Sequence, residues 1–123
     1  MHIETKPQPP NCASFALEYF GYCKGDLFVV PPSPTALSED FNAVSSLDKA
    51  QLVVFVVVRG LEVVTYHMIV CHEDDPTHGS QRAISGADVE PDVYIPDKIS
   101  YLQQINHPTR VLYFRKKPNV DNT

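Results

Sequence analysis

The chain has 123 residues, 43% of them hydrophobic and 20% charged, with a formal net charge of −5. That length suits one domain that buries its own core without staples, and the acidic balance argues against nucleic acid as a partner. Three cysteines without CxxC spacing fit reduced thiols and a cytoplasmic protein. The N-terminus shows no basic-then-apolar leader, and the longest apolar run, Leu52 to Val58, is too short for a membrane span.

In chain order, residues 1–10 are polar and proline-rich and read as an extended arm. Asn11 is a good N-cap, and Cys12, Phe15, Ala16, Tyr19 and Phe20 follow at helical spacing, which predicts a helix over 12–22. Leu27 to Val30 reads as a short strand stopped by Pro31-Pro32. Ser33-Pro34 opens a second helix, predicted over 35–46 from the recurrence of Leu37, Phe41, Val44 and Leu47.

The centre is the stretch 51–71. Two apolar arms rich in β-branched residues flank Arg59-Gly60, which reads as an antiparallel hairpin with Gly60 in the turn. Neither arm alternates cleanly, so both faces should be covered. The segment 72–86 reads as a long loop, 87–95 as a weak edge strand, Asp97 as the cap of a third helix, and Arg110 to Arg115 as a last strand near an edge.

The expected fold is α+β, with a mainly antiparallel sheet of about four to five strands centred on the 51–71 hairpin and two or three helices packed on it. A single domain is expected over 11–117, with the arm before it and a polar tail over 118–123.

Among residues that carry chemistry, Cys12 stands at a helix start, where the dipole favours a thiolate, and His67 lies inside an apolar strand. A nucleophile, a base and an orienting group are what thiol catalysis needs, and Asp74, His78 and Gln81 are the candidate third members. A helix-start cysteine followed by a strand histidine resembles the papain-like hydrolases. The resemblance implies a hydrolase or transferase using Cys12, His67 and Asp74. The bland alternative makes Cys12 a small core hydrophobe and His67 a core histidine.

Cys71, His72, Glu73, Asp74, Asp75 and His78 crowd the end of the hairpin, but their spacing matches no metal-binding pattern, and no cofactor motif is present. Between 73 and 97 the acids outnumber the single base, Arg82. Glu73, Asp74, Asp75, Asp88, Glu90 and Asp92, with Tyr94 as an aromatic anchor, therefore form a candidate surface for a basic protein partner. The absence of a full catalytic motif favours a small binding domain of the inhibitor, immunity-factor or adaptor type over an enzyme. A homo-oligomer through the hairpin edge is compatible with this pattern.

Overall fold

The computed structural model describes residues 1–82, 89–105 and 108–118. Its N-terminal arm carries a short strand, Thr5–Lys6 (β1), and leads into a helix, Cys12–Tyr19 (α1). Asn11 starts that helix with a reciprocal capping box. Its side chain accepts from the Ser14 N–H, and the Ser14 hydroxyl accepts from the Asn11 N–H. The helix stops earlier than its periodicity suggests. Gly21 adopts φ 86°, its N–H donates to the Glu18 carbonyl, and the Tyr22 N–H reaches back to Leu17, which together make a Schellman closure.

Phe28–Val29 (β2) pairs antiparallel with β1, and Pro34–Leu37 (α2) follows as one turn capped by Ser33. The predicted second helix ends there, because Phe41–Val44 (β3) is a strand. Asp40 marks the change: its carbonyl accepts from the Lys117 N–H, which ties the chain to the sheet. Leu37 and Phe41 are both buried in one cluster, so a turn followed by a strand meets the same spacing as a helix.

After a 3₁₀ turn at Leu47–Lys49 come Leu52–Arg59 (β4) and Glu62–Cys71 (β5), which form the expected hairpin. Gly60 takes φ 63° and no other residue type among those described has a positive φ, as a type II′ turn requires. The segment expected as a loop contains a strand, His78–Arg82 (β6). Val89–Tyr94 (β7), Ile95–Ile105 (α3) and Thr109–Lys116 (β8) complete the chain.

The architecture is α+β with antiparallel pairing, but larger than expected: eight strands in two sheets among the described residues. Six of them form one sheet in the order β3-β8-β4-β5-β6-β7. As Arg110 and Arg115 suggested, β8 lies near an edge, one strand in, between β3 and β4, and both arginines are exposed. Leu52, Val54, Val56, Met68 and Val70 pack against Ala13, Ala16 and Leu17 of α1. Val53, Phe55, Ile69 and Cys71 pack against Ile95 and Leu102 of α3. Burial on both faces is why neither hairpin arm alternates. No helix among the described residues is long and apolar enough to cross a membrane.

Candidate functional site

A β-bulge and a diverging neighbour open the middle of β5. Phe55 pairs with His67 and Val56 with Thr65, which leaves Tyr66 as the extra residue. On the other side, β6 pairs with β5 only at Val70↔Ser80 and Cys71↔Gly79, and its register with β7 breaks between Gly79 and Gln81. The main-chain edge of β5 at 66–68 is therefore left to a different partner.

That partner is Cys12. Its thiol donates to the Tyr66 carbonyl at 3.9 Å, and the Met68 main chain also bonds the sulfur. Burial pushes the Cys12 thiol above its ordinary pKa, only partly offset by these main-chain bonds. The resting thiol is protonated.

His67 extends from the same three residues onto the α3 side. Its ring stacks on Phe55 with centroids 5.6 Å apart and planes inclined by 6°. Only 1% of the residue is exposed. Its Nε2 is hydrogen-bonded to Gln81 Oε1, and Gln81 Nε2 donates to a carboxylate oxygen of Glu90. This relay sets the tautomer. An ionised carboxylate only accepts, so the Gln81 amide nitrogen faces Glu90 and its carbonyl faces His67. The His67 proton then resides on Nε2, and Nδ1 presents a bare lone pair.

That Nδ1 is buried and has no hydrogen-bond partner among the described residues. Burial holds the imidazole below its ordinary pKa, Lys98 adds to the effect, and the Gln81 bond and Glu90 oppose it. A neutral imidazole whose buried nitrogen is unpaired among the described residues has the lone pair a base needs. The thiol and the imidazole thus approach 66–68 from opposite sides of β5, without a hydrogen bond between them.

The remaining candidates fall elsewhere. Asp74 is exposed in the turn after β5. Asp75 accepts from the Thr77 N–H and hydroxyl and pairs with His78 Nδ1 at 2.7 Å, while the His78 ring lies 5.2 Å from that of Tyr94. His72 Nε2 contacts both Ser80 Oγ and Asp92 Oδ1, and Ser80 donates to the same carboxylate. Because one ring nitrogen serves both partners, this is a clip between β6 and β7 rather than a relay. Cys71 is buried in the sheet, its thiol pushed up to about 12.

Of the acidic surface, Glu73 and Asp74 are exposed, Asp75 holds a local turn, Asp92 clips β6 to β7, Glu90 turns toward Gln81, and Tyr94 is 46% exposed. Asp88 lies outside the described residues. No three of the described His, Cys, Asp and Glu side chains gather as metal ligands would. The sequence placed Glu90 only in the acidic candidate surface, and nothing local marks it as the partner of Gln81. Comparison with family models, curated proteins and solved structures found no match for this chain.

Proposed function

We propose that the protein is a cysteine-dependent hydrolase or transferase acting on a carbonyl group. Cys12 is its nucleophile, His67 its base and Gln81 the group that orients the base. The observation that carries this reading is the bare, buried Nδ1 of His67, held by Gln81 and Glu90 beside the strand that also holds the Cys12 thiol. A lone buried polar atom costs about 1–3 kcal/mol, which a nitrogen that takes up a proton in the reaction would account for.

For the reaction, the Cys12 sulfur has to leave the Tyr66 carbonyl and turn within reach of His67 Nδ1, which then takes the thiol proton as the sulfur attacks the substrate carbonyl carbon. The imidazolium forms against the Gln81 carbonyl and then gives its proton to the departing amine or alkoxide. Water or a second nucleophile releases the acyl group from sulfur, and the thiol is restored.

Alkylation tests the assignment. Iodoacetamide near neutral pH should modify Cys12, located by peptide mass, and His67→Ala should slow that reaction by about tenfold or more. Modification of Cys23 alone, or an unchanged Cys12 rate in His67→Ala, overturns it.

A second reading, capture of a basic protein, draws on the adjacent exposed carboxylates of Glu73 and Asp74. It requires salt-sensitive binding of a lysine-rich peptide that Glu73→Lys/Asp74→Lys abolishes.

A further inference from the structure

Strands β8, β4 and β5 lie side by side where Gln51 joins them. The Gln51 N–H donates to the Phe114 carbonyl at 2.8 Å, and the Cys71 N–H donates to the Gln51 carbonyl at 3.0 Å. Beside this junction, where α1 ends, lies a cavity of about 680 Å³, a size that suits a small organic ligand. Aromatic rings line one part of it and hydrogen-bond donors another.

Tyr19, the last residue of α1, is 53% exposed, and its ring meets Phe20 edge to face with centroids 5.1 Å apart. Phe20 meets the buried Phe41 edge to face at the same spacing. The outermost ring is thus braced by the core and offers a flat surface to a planar ligand.

The donors come from β8 and the start of β4. Gln51 Oε1 accepts from the Lys116 N–H at 2.8 Å, which fixes the amide and leaves its NH2 to donate. Arg115 Nη1 donates to the Lys49 carbonyl at 3.3 Å, a bond that steadies a planar guanidinium whose fork matches a carboxylate. Lys116 contributes its stem more than its charge, because its ammonium lies 4.9 Å from the centre of the Tyr22 ring. Arg115 is therefore the cation a ligand meets. Asp48 and Glu73, both exposed, stand at the margin and repel a second negative charge, so the donors suit a carboxylate better than a phosphate.

We infer that this cavity binds a small aromatic monocarboxylate, with its ring against Tyr19 and its carboxylate on the Arg115 guanidinium and the Gln51 amide. The site does not depend on the cysteine chemistry. Cys12 begins α1 and Tyr19 ends it, about 10 Å away at 1.5 Å per residue, so ligand and thiol occupy opposite ends of one helix.

The test is an NMR titration of the full chain with 2-naphthoate, which should shift the signals of Tyr19, Phe20 and Gln51 to saturation. The amide 2-naphthamide keeps the rings and loses the charge, and should bind about tenfold more weakly. Decahydro-2-naphthoate keeps the charge and loses the flat face, and should bind about threefold more weakly or worse. Arg115→Gln, at an exposed position, should weaken 2-naphthoate about tenfold and leave 2-naphthamide unaltered. Shifts that do not saturate, equal affinity for either analogue, or an unchanged 2-naphthoate affinity in Arg115→Gln would overturn the inference. Tighter binding of 2-naphthyl phosphate than of 2-naphthoate would overturn the carboxylate assignment in favour of a phosphate ester.

Discussion

His67 on β5 and Gln81 on β6 are joined through Nε2 and Oε1 across a gap where their strands no longer pair. The bond locks the imidazole with its proton on Nε2, and its electrostatic consequence is measurable. Burial keeps the folded pKa of His67 below the ordinary 6.5. The unfolded chain then binds this proton more readily than the folded one. The His67 contribution is complete above pH 6.5 and is lost as pH falls from there through the folded value. Nitrogen NMR at neutral pH should find His67 neutral and protonated at Nε2. Urea midpoints at about pH 7.5 and about pH 5 should differ less in His67→Phe than in the wild type.

Gln81 and Glu90 make separable contributions. Gln81→Leu leaves the Nε2–H of His67 buried without an acceptor, which should destabilise the fold by about 1–3 kcal/mol and slow Cys12 alkylation. Glu90→Gln keeps an acceptor for the Gln81 amide but removes the charge that enforces its orientation. Stability should change by less than about 1 kcal/mol, while the His67 tautomer becomes mixed. Equal effects of the two substitutions on the NMR tautomer signal would refute the relay.

The two ends of this relay differ in how far the sequence exposes them. Cys12 and His67 were readable because each sits in a strong local pattern, a capped helix start and an apolar strand. Gln81 was one of several loose candidates, since β6 is held to β5 by only two residue pairs and its own sequence, His78 to Arg82, carries no strand periodicity. Tertiary pairing makes it a strand. The second helix failed for the converse reason. Leu37, Phe41 and Val44 have helical spacing, but β3 gains its hydrogen bonds from β8, more than 60 residues away in sequence, which no local window contains.

Two glycines should respond to alanine for different reasons. At Gly79 a Cβ would meet Ile69 Cγ2 at 2.6 Å, the Val70 carbonyl oxygen at 2.7 Å and Ile95 Cδ1 at 3.0 Å. The Val70 backbone cannot yield, so Gly79→Ala should cost about 1–3 kcal/mol, displace β6 and weaken the Gln81 contact. At Gly60 nothing lies within 4 Å and only the φ of +63° opposes a side chain. Gly60→Ala should cost about 1–2 kcal/mol and leave His67 undisturbed. Thermal melts with the His67 ring signals as a second readout distinguish the two.

Tyr22 and Asp40 anchor the lower end of α1. The Tyr22 hydroxyl donates to Asp40 Oδ2 at 2.6 Å, and the amino-terminal ammonium lies 3.3 Å from Oδ1. Desolvation alone would raise the carboxyl pKa, but the Tyr22 bond and the ammonium outweigh it, with help from Lys116, and hold it below the ordinary 3.8. Its stabilisation is full above pH 3.8 and is lost as pH falls through the folded value. Tyr22→Phe should remove about 1–2 kcal/mol near neutrality and move the onset of acid unfolding to higher pH, as followed by circular dichroism.

Asn11 links the fold to the thiol. Its Oδ1 accepts from both the Ser14 and Val29 N–H groups, and its Nδ2 donates to the Val29 carbonyl at 2.8 Å. Asn11→Asp preserves the two acceptor contacts and remains a competent cap, but it loses the bond to Val29 and sets a carboxylate against that carbonyl. A loss of about 1–3 kcal/mol is expected from that orphaned buried carbonyl. The new negative charge sits next to Cys12 and disfavours its thiolate, so alkylation of Cys12 should slow near neutral pH. Asn11→Ser, a neutral cap of similar propensity, separates the two effects: it should lose comparable stability through its missing contacts to Val29 yet retain a Cys12 rate above that of Asn11→Asp. If the serine and aspartate variants alkylate at the same rate, electrostatics at the helix start do not govern this thiol.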